Sequence, residues 1–339
     1  MITAADADFH PRDPSITNWT ETLFAIFSVP EAGILGNLYV LARPNLGVAT
    51  SAVMVQQGFC RQPYEIDFSD PQVHTACPES FSNFTLSSGL SVAVTKPPLD
   101  YHFEYAASSG ACRFDLDFKA LMPAFDMHDP EQNPLYVPGD DWASPHAAAA
   151  AAGKGHFDLL GRVTGEFELH GQAYQVDCID GMDHSWGPRY EDTATTGSRA
   201  ASWMHVSFGD DFGLHLAMAL DIRDGQVVYD GLRFGYVMDQ GEVYGLTWAE
   251  VQTERVDMLG VSNHIQARDV RGREYEFFGT AVAAAPWYTF NPCCVSFQTL
   301  YRYRDGNRVG YNEGADIFGL NFLSERLSRH GRRLAEVAS

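Results

Sequence analysis

The chain is predicted to be all-β, with antiparallel strands forming a sandwich or barrel. Three observations support this. Short runs of alternating or apolar residues recur between turn signals such as Pro44-Asn45-Leu46-Gly47, Asp224-Gly225, Arg271-Gly272 and Asp305-Gly306. Aromatic residues make up 13% of the sequence, including 22 Phe and 15 Tyr, and such side chains suit a pleated surface. No Gly-x-Gly-x-x-Gly follows a strand-like run and no Walker loop occurs, which argues against the nucleotide-binding α/β folds.

The predicted strands begin with Thr22–Val29, Gly36–Ala42, Ser91–Thr95, Leu99–Tyr105 and Arg113–Phe118. They continue with Gly165–His170, Ala173–Cys178, Ser202–Phe208, Leu214–Ile222, Leu232–Met238, Arg273–Thr280 and Val295–Arg304. A single helix is expected over Ile317–Arg332, where Leu320, Leu323, Leu327 and Leu334 keep near-helical spacing. Residues 126–155 break the strand pattern: they are rich in Pro, Asp, His and Ala, end in Ala147–Ala152, and suit a linker, a surface insertion or a lid. A boundary there divides the chain into domains 1–155 and 156–339.

A 45% hydrophobic and 20% charged composition belongs to a globular protein with a sizeable core. Lys and Arg number 23 against 44 Asp and Glu, a net charge of −21. That balance offers no basic patch to nucleic acid or an anionic membrane. No apolar run is long enough to span a bilayer, and the N-terminus lacks the basic start and apolar stretch of a signal peptide. Cys60, Cys77, Cys112, Cys178, Cys293 and Cys294 include no Cys-x-x-Cys pair; they suit reduced thiols in a cytoplasmic protein. No His-x-His or His-Glu-x-x-His occurs, so no metal site is expected.

The chemistry concentrates in Val176–Arg189, which holds three carboxylates, an imidazole, an indole and a guanidinium. If the strand at Ala173–Cys178 continues, Asp183, Ser185 and Gly187 face one side and Met182, His184 and Trp186 the other. His184 and Trp186 would then line a cavity, with Asp183 bonding neighbouring backbone or Arg189. The same residues would equally make a structural junction, with a buried Asp–Arg pair, a Trp plug and a His tied to backbone.

The run Gly181-Met182-Asp183-His184-Ser185-Trp186-Gly187-Pro188-Arg189 resembles the Asp-His-Asn/Ser-Trp-Gly signature of the lipocalin-like carotenoid 1,2-hydratase superfamily. That superfamily includes kievitone hydratase-like enzymes and the fungal decalin-forming Diels–Alderases. Residues 8–320 are similar to a bacterial subgroup with two successive lipocalin-like halves, through Asn18-Trp19-Thr20-Glu21, Arg43–Gly47, Pro97-Pro98-Leu99, Gly161–Gly165 and Gly310–Glu313. The resemblance implies two β-barrel-like domains, a ligand cavity and cofactor-independent chemistry on hydrophobic isoprenoid or polyketide-like molecules. It implies roles in activity for His184 and Trp186. Met182 stands where relatives often carry Arg, and losing that cation would raise the pKa of Asp183. Ser185 replaces the Asn of the carotenoid hydratases.

The resulting expectation is a hydratase, dehydratase or isomerase acting by acid–base catalysis on a terpenoid- or steroid-like substrate. A hydrophobic-ligand carrier and a pericyclic cyclase are the alternatives. Alkene hydration needs a carboxylic acid kept neutral in a dry pocket, aromatic faces for the carbocation and a group to take the proton from water. Asp183 is the first candidate acid, His184 the base or orienter, and Glu21 the reserve acid. Trp186, Trp203, His205, Trp19, Tyr288 and Arg189 are candidate substrate contacts. Glu313 is expected to pair with Arg302 or Arg304 in a surface ladder. Oligomeric state is left open.

Overall fold

The computed structural model describes residues 1–137, 154–189 and 200–328. The first eight strands are β1 (Trp19–Val29), β2 (Ile34–Arg43), β3 (Val48–Gln57), β4 (Phe68–Ala76), β5 (Asn83–Thr85), β6 (Ser91–Lys96), β7 (Asp100–Ala106) and β8 (Cys112–Ala120). The short β9 (Phe125–Asp126) precedes two long strands, β10 (Gly155–Leu169) and β11 (Gln172–Pro188). These eleven form one curled antiparallel sheet in the order β4-β3-β2-β1-β11-β10-β8-β7-β6-β5, with β9 beside β10. Alternation dictates its core. Leu23, Ala25 and Phe27 of β1 and Val176, Cys178 and Met182 of β11 turn to the concave side, against Phe103, Phe114, Phe118 and Phe167.

The second unit is a closed eight-stranded barrel: β12 (Ala200–Ser207), β13 (Phe212–Arg223), β14 (Gln226–Asp239), β15 (Glu242–Val256), β16 (Leu259–Asp269), β17 (Glu274–Asn291), β18 (Cys294–Asp305) and β19 (Arg308–Gly319). Its lumen is filled by Met204, Val206, Leu216, Val237, Ile265 and Phe277 among others, so it is a packed core. The outward residues of β12–β14 bury themselves against the convex side of the first sheet. There Ala217, Phe234, Tyr236 and Met238 meet Met122, Phe125 and Leu160.

Every strand read from the sequence falls within or overlaps an observed one. The change of sheet falls between residues 188 and 200, whereas the sequence boundary was placed at 155/156, so β10 and β11 lie beyond that boundary and still complete the first sheet. β19 runs to Gly319 and helix occupies residues 320–328; residues 329–332 of the predicted Ile317–Arg332, and Leu334, lie outside the described residues. Leu323 packs on the core beside the buried Phe322 and Phe318, whereas Leu320 and Leu327 are exposed, so only one of the three described leucines marks the buried face. In the 126–155 segment, Asp126, Met127 and Asn133 are buried; Ala147–Ala152 lie outside the described residues. Cys60, Cys77, Cys112 and Cys178 are free thiols. No described helix is long and apolar enough to cross a membrane.

The two sheets pack closely at Gly181. A Cβ there would sit 2.2 Å from His205 Nε2, so the imidazole packs directly on the glycine backbone. Gly181→Ala is therefore expected to lower the urea unfolding midpoint, at an overpacking cost of about 1–3 kcal/mol. An unchanged midpoint would contradict this packing.

Candidate active site

β11 is hydrogen-bonded on both edges around the motif, to β1 (Leu23 opposite His184, Phe24 opposite Asp183) and to β10 (Phe157 opposite His184, Asp158 opposite Asp183). A strand held this way presents alternate residues to opposite faces. His184 and Trp186 go to the concave face and Asp183 to the convex one.

On the concave face, Glu21 is fully buried and accepts four hydrogen bonds. Trp19 Nε1 and the His10 backbone N–H donate to Oε1, each at 3.0 Å. His10 Nδ1 (3.0 Å) and His184 Nε2 (3.2 Å) both meet Oε2. Burial opposes the charge, but these donors prevail and bring the carboxyl down to about 2. His184 is shifted the other way: burial among Phe81, Phe157 and Trp186 lowers its pKa. It is therefore a neutral imidazole that donates through Nε2, with Nδ1 buried and unpartnered. His10 stacks on Trp186 at 3.7 Å and also reaches Asp6 through Nε2 at 3.1 Å. His10, Glu21 and His184 have ligand-type atoms within 4.8 Å of one another. Their spacings are those of hydrogen bonds and the carboxylate already has four donors, so no ion is assigned. His102, Glu104 and Asp115 form a comparable group that is largely exposed.

On the convex face, Asp183 makes no hydrogen bond or ion pair with any described residue, although Ser185 beside it bonds Thr22 Oγ1 at 2.6 Å. Its side chain keeps some exposure, yet its depth in the protein pushes its pKa up to about 7. His156 moderates that rise and Asp158 adds to it. His156 Nε2 lies 3.1 Å from Asp158 Oδ2; although burial works against ionisation, the pair's attraction raises the imidazole and lowers the carboxyl.

The barrel covers this face with two cross-strand rows. One is Trp203–Ala217–Phe234 and the other His205–His215–Tyr236. His156 meets the first row edge-on, 5.7 Å from Phe234 and 6.5 Å from Trp203. His215 Nε2 approaches Asp158 to 3.7 Å, and His205 Nδ1 lies 3.5 Å from Asp180 and 3.9 Å from Glu313. Burial lowers both His205 and His215, keeping them neutral. It raises Asp180 to about 7 and Glu313 well above the carboxylate range.

The sequence-predicted residues therefore separate into two groups and two outliers. Glu21, Trp19, His184 and Trp186 form the concave network, where Glu21 is ionised at neutral pH and so holds no proton to give. Asp183, Trp203 and His205 gather on the convex side. Arg189 donates to Tyr39 OH at 2.8 Å, and Tyr288 is exposed, edge-on to Phe297. Tyr288 fails as a pocket residue because its neighbour Trp287 takes the inward position, against Tyr39, Leu41 and Met54. Glu313 is not in a surface ladder: it is fully buried, with no arginine on it. His156, Asp158, His215 and Tyr236 were missed. The alternating pair His156-x-Asp158, two residues apart on one face, was the available signal.

A family model described as a domain of unknown function (DUF7064) matches residues 3–313, and the chain belongs to that family. No curated protein matches the sequence. A solved structure from Nitrosomonas europaea, titled as an AttH candidate, is similar with a TM-score of 0.56 and 11% identity, covering 92% of this chain and 94% of its own. Kievitone hydratase from Nectria haematococca is similar with a TM-score of 0.51 and 11% identity over 90% of each chain. Both likenesses concern the fold.

The two faces give opposite pH dependences. Glu21, depressed from 4.5 to about 2, contributes stability on the order of 3 kcal/mol that is lost as pH falls through that window. Asp180 and Asp183, raised from 3.8 to about 7, favour the folded state when protonated, and that contribution fades as pH rises through the interval. The two windows meet at about pH 4. Glu21→Gln should flatten the acid limb. Asp183→Asn should gain in melting temperature relative to wild type as pH rises from 4 to 7, and a constant difference between the two proteins would contradict the raised carboxyl.

Proposed function

We propose that this protein is a hydro-lyase that adds water to, or removes it from, an uncharged hydrophobic substrate, with Asp183 as the acid. The observation that carries this is the state of Asp183: a deep carboxyl without a hydrogen-bond partner among the described residues, still partly accessible, and within electrostatic reach of His156, whose ring meets Trp203 edge-on. A carboxyl that retains its proton near neutrality can give it to an alkene carbon. The resulting carbocation would face Trp203 and Phe234, whose π clouds stabilise positive charge within about 6 Å. Water adds to the cation, and its surplus proton returns to the Asp183 carboxylate, restoring the acid. Run in reverse, the same steps dehydrate a tertiary alcohol. No outside oxidant or reductant enters the balance.

The His156–Asp158 pair has a supporting role. Its imidazolium end offsets the charge that Asp183 carries while the cation exists, in a place where water cannot. Four carboxyl side chains, those of Asp158, Asp180, Asp183 and Glu313, look onto this region. An anion brought here would lose its hydration and meet an imidazolium already paired with Asp158, which disfavours phosphates and carboxylates as substrates. The similarity in fold to kievitone hydratase supports the reading. His184 and Trp186 would act from behind, fixing the strand that presents Asp183.

Asp183→Asn should reduce turnover at least about 100-fold while leaving the fold and hydrophobic-ligand binding nearly intact. The assay is conversion of neutral terpenoid and steroid alkenes in isotopically labelled water, followed by mass spectrometry. Turnover should fall as pH rises through about 7, because only protonated Asp183 is competent. If wild type binds these compounds and converts none, the protein is a carrier; if Asp183→Asn unfolds, the motif is a structural junction.

A further inference from the structure

The barrel side of the convex face holds a concentration of buried polar atoms that make no hydrogen bond with any described residue. They are Trp203 Nε1, Tyr236 Oη, His205 Nδ1 and both carboxyl oxygens of Glu313. Tyr236 and Glu313 are fully buried and His205 nearly so. Leaving a buried donor or acceptor unmet is costly, so such groups are rarely collected in one place without a use. The register collects them here. His205, His215 and Tyr236 are successive cross-strand neighbours, Trp203 is two residues from His205 on the same face, and Glu313 lies 3.9 Å from His205.

We infer that these side chains form a subsite for a neutral oxygen function, a hydroxyl or carbonyl, on the substrate handled by Asp183. This rests on the functional reading above and narrows its substrate class. The indole N–H and the phenol donate, the free imidazole nitrogen accepts, and the Glu313 carboxyl can do either when protonated. None of these groups carries charge in its buried state, so the patch discriminates against ions as well as against plain hydrocarbon. A site built to hydrogen-bond a hydroxyl rejects the analogue lacking it, because its own polar groups are then left bare. The substrate is thus an apolar skeleton with an oxygen substituent set apart from its reacting double bond.

The test is binding, measured by calorimetry on the full-length protein with three probes sharing one carbon skeleton: limonene, perillyl alcohol and perillic acid. The alcohol should bind at least about tenfold more tightly than either the hydrocarbon or the carboxylate. Tyr236→Phe and Trp203→Phe should each erase most of that preference. Each removes an unmet donor, so the ligand-free melting temperature should hold or rise, which a merely structural role would not give. Equal affinity for the three probes, or an undiminished preference in both variants, overturns the inference. The acid assignment fails separately: an alcohol preference kept in an Asp183→Asn protein that still turns over would sink Asp183 and leave the subsite standing.

Discussion

The structure depends on the double pairing of β11. Because β1 and β10 both hydrogen-bond to it around the motif, its backbone cannot rotate, and its side chains are divided strictly between two environments. Four consecutive residues that look like one catalytic cluster are thereby separated by the thickness of a sheet. His184 and Trp186 enter a sealed aromatic core, where an ionised Glu21 accepts from the imidazole Nε2. Asp183 enters the seam between the sheets, where no described residue bonds it. The polar and the unmet thus lie back to back on one strand, and the rigidity of the first holds the second in position.

The convex seam is electrostatically unusual. Asp183 faces Asp158 directly across a strand pair, an arrangement that disfavours two charges. The tension is relieved unevenly: Asp158 takes the negative charge and His156 the positive, while Asp183 retains its proton. Two further carboxyls are held toward the neutral form, Asp180 by depth and Glu313 by depth together with the nearby Asp180, Asp316 and Asp183. A low-dielectric seam that tolerates one ion pair and leaves the remaining acids uncharged can bring protons to an apolar molecule without hydrating it.

Much of this was legible in the sequence. Strand alternation alone placed Asp183 opposite His184 and Trp186, and period-two patterns located the predicted strands. What remained hidden depends on pairing across long sequence distances. His156 and Asp158 gain meaning only when β10 is laid against Asp183, and Glu313 looks like a surface residue until β19 closes the barrel beside Asp180. The C-terminal leucines misled because Phe318 and Phe322, rather than Leu320 and Leu327, reach the core. Glu21 could be placed on its strand, but its charge state depends on His10, which arrives from a segment without regular strand structure.

The barrel closes through a short seam, β12 against β19 from Ala200–Phe318 to Met204–Gly314. Beyond it the strands diverge, and Asn312 bridges the opening by accepting from the Ser207 backbone and donating to the carbonyl of Ile179 in the other sheet. The Glu313 N–H, freed by the same divergence, is taken up by Asp180. The barrel is therefore finished with atoms it does not own. Within residues 200–328 alone, Asn312 and the Glu313 N–H would lose these bonds, so the two sheets are coupled along the seam where the acids collect.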